Sequence, residues 1–251
     1  MNDLILDENT LAMRTDERAR DSEKSRAAER AVEFVEDGQT VGLGTGSTAT
    51  FAIHALGRRV SEGLRIRGVP TSNGIGRLAT ELGIPIASLN EVERVDITLD
   101  GADQIDPMFN MIKGGGGALI REKLVAIASE LEVIVVDSGK LVDRLGEGFS
   151  LPVEVVPFGW RLVERSLKEL GCEPRLRLVG ESVFVSDNDN YILDCEFHGI
   201  ADPAGLERTL KQIHGVVECG LFIGLADKLV IGLSSEVEIR DARLAEASTE
   251  P

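Results

Sequence analysis

Apolar positions in the first part of the chain alternate between short runs and helical spacing. Ala27, Ala31 and Val35 fall on one face of a predicted helix that ends at 37–38. Apolar runs predict strands at 40–43, 64–69, 84–88, 95–99 and 132–137, and helical spacing predicts helices ending near residues 56, 82 and 129. This alternation is typical of a parallel sheet covered on both faces, which binds ligands at the carboxyl ends of its strands.

The rhythm changes after the glycine-containing segment 145–148. Strands are predicted at 153–156, 175–179, 183–185, 191–197 and 216–217, with helices at 160–170 and 203–213 and a turn at 187–190. Consecutive strands with few helices predict a small α+β unit inserted in the chain. We expect the last predicted strand, 228–233, to return to the first sheet.

The composition of the chain disfavours several classes of function. The 251 residues include 43 acidic and 27 basic side chains, a net charge of −16, so binding to nucleic acid or to a membrane surface is disfavoured. No apolar run approaches the ~20 residues of a membrane span, and residues 1–20 are acidic and polar, unlike a signal peptide. Three cysteines and three histidines stand at no metal-ligand spacing. We therefore expect a cytoplasmic protein without metal or cofactor.

The first candidate motif, Gly-Leu-Gly-Thr-Gly-Ser-Thr at 42–48, joins a predicted strand to a helix. Dinucleotide binding would need glycine at Ser47, and the nucleoside-triphosphate loop would need lysine at Thr48. What remains is a hydroxyl-rich cradle for one phosphate at a helix N-terminus, or a simple glycine turn capped by Ser47 or Thr48.

The second and third motifs also follow predicted strands. Asp100 and Asp103 stand three residues apart around a turn, where they could bind sugar hydroxyls or form an ordinary acidic turn. Lys113 precedes four glycines and a helix that carries Glu122. Such a row of backbone N–H groups, with a lysine, can stabilise a developing oxyanion; the alternative is a flexible linker.

A fourth segment, 137–140, places Lys140 where a phosphate could bind, although taken alone the pattern favours a solvated surface lysine. Lys24 on the first helix is a weaker candidate of the same kind. Together, the four segments suit abstraction of a proton next to a carbonyl on a small phosphorylated molecule.

In this order, the four segments and the Leu-Pro-Val-Glu-Val sequence at 151–155 resemble ribose-5-phosphate isomerases of the A type, from about residue 24 to 233. The resemblance implies interconversion of D-ribose 5-phosphate and D-ribulose 5-phosphate in the non-oxidative pentose phosphate pathway, without metal, by a homodimer or homotetramer. It implies an α/β fold, a Rossmann-like parallel-sheet domain (21–147 and 220–245) with a smaller α+β, ferredoxin-like domain (148–219) inserted before the last strand. Residues 1–20 would be an acidic extension.

The resemblance also assigns roles to residues. Glu122 would be the general base that moves a proton between C1 and C2 through an enediolate. The phosphate-binding loop would be Thr45, Gly46, Ser47 and Thr48, and the turn that holds sugar hydroxyls and assists ring opening would be Asp100, Gly101, Ala102 and Asp103. The loop that stabilises the enediolate oxygen would be Lys113, Gly114, Gly115 and Gly116. The lysines on the phosphate side would be Lys140 and Lys24. One departure is Gln104, where the family often has glutamate.

Two other function classes fit parts of the pattern. A sugar-phosphate sensor would bind the same ligand without catalysis, but residues 1–20 are too short and acidic for the usual DNA-binding segment. An acyl-CoA transferase or an aminosugar-phosphate deaminase could share the fold, but the sequence context of the transferase's glutamate nucleophile is missing.

Overall fold

A computed structural model describes residues 8–242 of the chain, with side chains from residue 16 onward. The helices of this part are α1 (Glu8–Ala31), α2 (Ser47–Ser61), α3 (Asn73–Glu81), α4 (Leu119–Ile127), α5 (Trp160–Glu169) and α6 (Pro203–Leu210). The strands are β1 (Thr40–Leu43), β2 (Arg67–Pro70), β3 (Ile97–Asp100), β4 (Gln104–Ile105), β5 (Met111–Ile112), β6 (Glu132–Asp137), β7 (Leu151–Val155), β8 (Glu173–Leu176), β9 (Leu178–Val179), β10 (Ser182–Val183), β11 (Tyr191–Glu196), β12 (Val216–Cys219), β13 (Leu221–Phe222), β14 (Lys228–Gly232) and β15 (Val237–Asp241).

A six-stranded sheet forms the centre of the fold, in the order β15-β14-β6-β3-β1-β2. Its strands are parallel except β15, which pairs antiparallel with β14. Val41, Val133 and Val230 belong to one buried cluster with the alanines of α1, whose small side chains let the helix pack closely on the sheet. The parallel sheet and the return of the strand near 228–233 to it are as the sequence predicts, whereas the antiparallel edge strand β15 was not predicted.

A second, four-stranded antiparallel sheet has the order β12-β7-β11-β8. Helix α5 follows β7 and α6 precedes β12, which gives the βαββαβ sequence of a ferredoxin-like unit. Val163, Leu167 and Leu210 from these helices are buried against Val153 and Leu193 of the sheet. The inserted α+β unit is thus confirmed; the exact domain boundaries stay a prediction.

A third sheet, β13-β5-β4, was not predicted because its strands have two residues each and show no periodicity. It joins the segment between Asp103 and Lys113 to β13, which directly follows β12 of the four-stranded sheet. The backbone N–H of Lys113 donates to the carbonyl of Gly220 at 2.9 Å. The three-stranded sheet therefore fixes where Lys113 enters the candidate site.

Two predicted elements differ from the structure. The predicted strand 84–88 is only a single bridge between Ile86 and Gly68, because Pro85 has no N–H to donate. Helix α1 begins at Glu8, inside the predicted extension, and ends at Ala31, before a 3-10 turn at 32–34; residues 1–7 of the extension and 243–245 of the main domain lie outside the described residues. Within residues 8–242, no helix has the length and apolar character to cross a membrane.

Candidate active site

Loops after β1, β3 and β6 meet with the glycine loop at the carboxyl edge of the central sheet, where they enclose a small polar cavity. The following residues line it: Thr45, Gly46, Ser47, Thr48, Gly101, Ala102, Asp103, Lys113, Gly114, Gly115, Gly116, Glu122 and Lys140. The structure thus brings together all but two of the residues that the sequence singles out. The exceptions are Asp100 and Lys24.

The phosphate-loop candidate runs from β1 into the N-terminus of α2. Gly46 has a φ of +124°, a conformation that favours glycine, and a Cβ on Gly44 would lie 2.2 Å from a carboxylate oxygen of Asp100. The Oγ1 atom of Thr45 lies 2.7 Å from Thr71 Oγ1 and donates to Ser72 Oγ at 3.0 Å. The glycines therefore allow the close approach, and the first turn of α2 presents its N–H groups at the cavity.

Lys113 lies between two carboxylates beneath the cavity. Its Nζ atom is 3.0 Å from Oδ2 of Asp100 and 3.0 Å from Oε1 of Glu122, and it donates to the carbonyl of Gly101. Asp100 also accepts hydrogen bonds from the backbone N–H groups of Thr45 at 3.1 Å and Gly101 at 2.7 Å. All three charged side chains are buried. The cluster ties the phosphate loop, the acidic turn and α4 together.

Burial governs the charges in this cluster. It raises the pKa of Glu122 to about 8, because the desolvation of the carboxylate outweighs the attraction of Lys113. Burial likewise raises the pKa of Asp100, against the same lysine. Burial alone would lower the pKa of Lys113, but the charges of Asp100, Glu122 and Glu132 hold it above its ordinary value. A carboxyl that titrates near neutral pH beside a permanent cation suits proton transfer.

The glycine loop is a defined turn held by Asp103. The N–H of Gly115 donates to Oδ2 of Asp103 at 2.8 Å, and that of Gly117 donates to the carbonyl of Gly114 at 2.9 Å. A Cβ on Gly115 would lie 2.7 Å from the other carboxylate oxygen of Asp103, so a side chain has no room there. These contacts argue against the flexible-linker interpretation.

Asp100 and Lys24 do not line the cavity. Asp100 lies beneath the cavity wall with no exposed surface, and its carboxylate contacts Lys113, Thr45 and Gly101, so its contact with a sugar hydroxyl stays a prediction. Lys24 does not line the cavity, because its Nζ atom turns to Oδ1 of Asp21 at 3.2 Å on the same helix. A phosphate contact by Lys24 stays a prediction.

Gln104 has a structural place that the sequence does not reveal. Its side-chain amide donates to the carbonyl of Glu147 at 2.7 Å and accepts from the N–H of Gly146 at 2.8 Å. It is buried and contacts the 146–147 turn, outside the cavity. The amide fits because it offers one donor and one acceptor, whereas an ionised glutamate offers acceptors only.

Thr71 and Ser72 are site residues that sequence reasoning missed. They follow β2 directly, and their hydroxyls fix the side chain of Thr45 at the cavity. Ser72 also caps α3, because its Oγ atom accepts from the N–H of Ile75 at 3.2 Å. Two hydroxyl residues directly after a predicted strand were an available signal.

One cluster away from the cavity has the spacing of metal ligands. Ligand atoms of Glu207, Glu218 and Cys219 lie within 4.8 Å of one another. The Nζ atom of Lys123 lies 2.8 Å from a carboxylate oxygen of each glutamate, so an ammonium already takes the position of a cation. These residues are therefore a buried ion-pair cluster, and the expectation of no metal stays a prediction.

The fold is α/β, and its cavity combines a helix N-terminus, which suits a small anion, with a buried lysine beside a carboxyl, which suits proton transfer. The family model of ribose 5-phosphate isomerase A (phosphoriboisomerase A) matches residues 67–236. The chain belongs to this family, and it is an isomerase.

Named relatives agree with this membership. The chain is 51% identical over 217 residues to ribose-5-phosphate isomerase A of Gloeobacter violaceus, covering 86% of this chain and 94% of the relative. It is 44% identical over 219 residues to ribose-5-phosphate isomerase A 2 of Oceanobacillus iheyensis, covering 87% and 97%.

Solved structures agree as well. A D-ribose-5-phosphate isomerase in complex with phospho-erythronic acid superposes with a TM-score of 0.86 at 38% identity, covering 88% of this chain and 99% of that one. Ribose 5-phosphate isomerase A of Methanocaldococcus jannaschii gives a TM-score of 0.84 at 41% identity, covering 87% and 98%.

Proposed function

We propose that this chain interconverts D-ribose 5-phosphate and D-ribulose 5-phosphate through an enediolate, with Glu122 as the general base. The observation that carries the proposal is the pair of Glu122 and Lys113, 3.0 Å apart in the wall of a cavity that begins at a helix N-terminus. Abstraction of a proton from carbon is slow unless the oxyanion that forms is stabilised at the same moment. The pair supplies both the base and the charge.

The substrate's phosphate would bind at the start of α2. Thr45, Gly46, Ser47 and Thr48 supply backbone N–H groups and hydroxyls there, and Lys140 stands in the cavity wall as a cation. Such a site suits a phosphate dianion because the helix N-terminus and the lysine both attract negative charge. The phosphate would thereby fix the distance from the substrate's far end to Glu122.

At the reacting end, Glu122 takes the proton from C2 of the open-chain aldose, and the C1 carbonyl oxygen becomes the enediolate oxygen. Lys113 and the N–H groups of the glycine loop stabilise that negative charge. A proton passes from O2 to O1, and Glu122 returns its proton to C1 to give the ketose. Asp103, which lines the cavity, would hold a sugar hydroxyl and assist ring opening. Asp100 would position Lys113.

The test is proton NMR of D-ribose 5-phosphate in deuterium oxide with excess EDTA. We expect ribulose 5-phosphate to appear with deuterium at the exchanged carbon. Glu122→Gln should abolish turnover and leave binding largely intact, because removing a general base typically costs about 100- to 10,000-fold. Glu130→Gln is the matched control, since Glu130 is exposed and pairs with Arg94 on the surface.

The outcomes separate the alternatives. Binding without conversion or exchange would favour a sugar-phosphate sensor. Conversion by the wild type together with near-normal turnover by Glu122→Gln would remove Glu122 from the role of base and leave the activity standing.

We also propose a cytoplasmic homodimer or homotetramer. Three buried, free cysteines suit a reducing compartment. Phe158 is 96% exposed, beside the exposed Val156 and Leu162, and such an apolar patch is typical of a surface that a second copy covers. Light scattering coupled to size exclusion would give the mass in solution; a monomer at micromolar concentration would contradict the oligomer.

A further inference from the structure

Arg177, in the predicted small domain, contacts the carbonyl groups of the glycine loop. Its Nη1 atom donates to the carbonyls of Gly114 at 2.9 Å and Gly115 at 3.1 Å. Its Nε atom donates to Oδ2 of Asp194 at 2.9 Å, and Nη2 donates to the other oxygen of the same carboxylate. The guanidinium therefore links a strand of the small sheet to two consecutive peptide groups of the loop.

These contacts orient the loop because a trans peptide is planar and its C=O and N–H point in opposite directions. The carbonyl of Gly114 points to Arg177, and the N–H of the same peptide, on Gly115, points to Asp103 at 2.8 Å. By the same geometry, the carbonyl of Gly115 points to Arg177, and the N–H of Gly116 points away from it. Gly116 is one of the residues that line the cavity.

The position of Arg177 is itself fixed. The side chain is 13% exposed and Asp194 holds it at two oxygens, an arrangement in which a planar guanidinium keeps one orientation. Its charge also lies over the ring of Phe184, 5.7 Å from the centroid. That ring packs on the last glycine of the loop, where a Cβ on Gly117 would lie 2.3 Å from it. The small domain thus contacts the loop at three of its four glycines.

We infer that Arg177, oriented by Asp194, is a positioning residue that aims the N–H groups of Gly115 and Gly116, the first toward Asp103 and the second toward the enediolate oxygen. The inference deepens the proposed function and rests on it. Glycine has the largest conformational freedom of any residue, so a run of four needs an external restraint to hold an oxyanion site. Without that restraint, the substrate's phosphate would still bind, since its site at the start of α2 is untouched.

The experiment compares Arg177→Gln, Arg177→Lys and the control Arg175→Gln in the NMR assay. Arg175 lies on the adjoining strand and makes only exposed ion pairs, to Glu173 and Glu196. We expect Arg177→Gln to lower kcat by about 100-fold, the typical loss from misplaced reacting groups, with a much smaller change in KM. Lysine cannot reach both carbonyls and both oxygens of Asp194, so Arg177→Lys should fail too. Arg175→Gln should retain its activity.

Chemical rescue separates positioning from a general loss of structure. Added guanidinium ion, at a concentration that leaves the wild type unaffected, should restore part of kcat in an Arg177→Ala variant. Should the Arg177 variants fail to fold, Asp194→Asn, which keeps the arginine but loses its anchor, should lower kcat and spare KM.

Three results would overturn the inference. They are an unchanged kcat in folded Arg177→Gln, an equal loss in Arg175→Gln, and a loss confined to KM. An inactive wild type would instead refute the proposed function, so the two failures are distinguishable.

Discussion

The Nζ atom of Lys113 lies 3.0 Å from Oε1 of Glu122, and both side chains are buried in the wall of the same cavity. In the proposed reaction, the ammonium therefore faces the base that would take the proton and lies close to where the substrate's negative charge would develop. When Glu122 is protonated in that reaction, it loses its negative charge. Lys113 would then interact with the negative charge of the enediolate instead. One cation can therefore stabilise the reactant base and the intermediate in turn.

The pH dependence of the reaction should follow Glu122. Because burial raises the pKa of this carboxyl to about 8, the base is mostly protonated at pH 6 and ionised at pH 9. We expect kcat to rise with pH, to reach half of its maximum near pH 8 and to level off above about pH 9, without a fall from Lys113, whose pKa is raised. A pH–rate profile from 5.5 to 9.5 measures this. A kcat independent of pH in that range would show that Glu122 is not the titrating base.

Lys113→Ala should lower kcat more than it raises KM, because the ammonium acts on charge that develops during the reaction. Loss of one good oxyanion donor typically costs about 100- to 1000-fold. Steady-state kinetics gives the two constants, and circular dichroism checks the fold, since Asp100 and Glu122 would lose their shared cation. Lys228→Ala serves as the control. The Nζ atom of that lysine lies 2.6 Å from Oδ2 of Asp241, and Lys228 does not line the cavity. A rise in KM with kcat preserved would make Lys113 a binding residue only.

Gln104→Glu should destabilise the protein at neutral pH and leave kcat nearly unchanged. An ionised carboxylate would face the carbonyl of Glu147, and an unsatisfied buried group costs about 1–3 kcal/mol. The loss should shrink near pH 5, where a protonated carboxyl can donate to that carbonyl again. Urea unfolding at both pH values tests this, with Gln212→Glu at an exposed position as the matched change. Equal stability of variant and wild type at neutral pH would contradict the expectation.

Glu132→Leu should stabilise the protein at alkaline pH. Both carboxylate oxygens of Glu132 are buried and accept no hydrogen bond from any residue of the described part of the chain, and burial raises its pKa well above the ordinary value. A group whose pKa is raised on folding favours the folded state less as pH rises from its unfolded value toward the folded one. The variant should gain about 1–4 kcal/mol at pH 8.

The gain of Glu132→Leu should nearly vanish near pH 3.5, about one unit below the ordinary glutamate pKa, where the carboxyl is largely protonated in both states. Unfolding by urea at the two pH values measures the difference between variant and wild type, which cancels the contributions of the other acidic groups. A gain that does not change with pH would mean that packing, and not the charge of Glu132, is responsible.

The sequence predicts the cavity well because its chemistry is local. Thr45, Asp103 and Lys113 each belong to a loop that follows a strand, and the carboxyl ends of parallel strands share one edge of the sheet. The unusual glycine run marks a close backbone approach that no other residue type allows. These signals need only a few consecutive residues.

What the sequence does not predict depends on contacts between distant residues. Whether Asp100 faces the cavity or the interior is decided by Lys113, which reaches it from another sheet. Arg177 stands 62 positions from Gly115 in the chain, and nothing in its own segment indicates the loop. The strand expected at 84–88 fails because one proline removes a donor that the apolar pattern does not register.

The order of strands in the central sheet has a consequence for how the chain folds. Strand β14 is added beside β6 with Val230 opposite Val135, and the whole small sheet lies between them in the sequence. Such distant pairing closes a long loop and slows folding. Until β14 arrives, β6 presents an open edge of apolar residues that are fully buried in the finished sheet. During synthesis, this edge is open to pairing with another molecule.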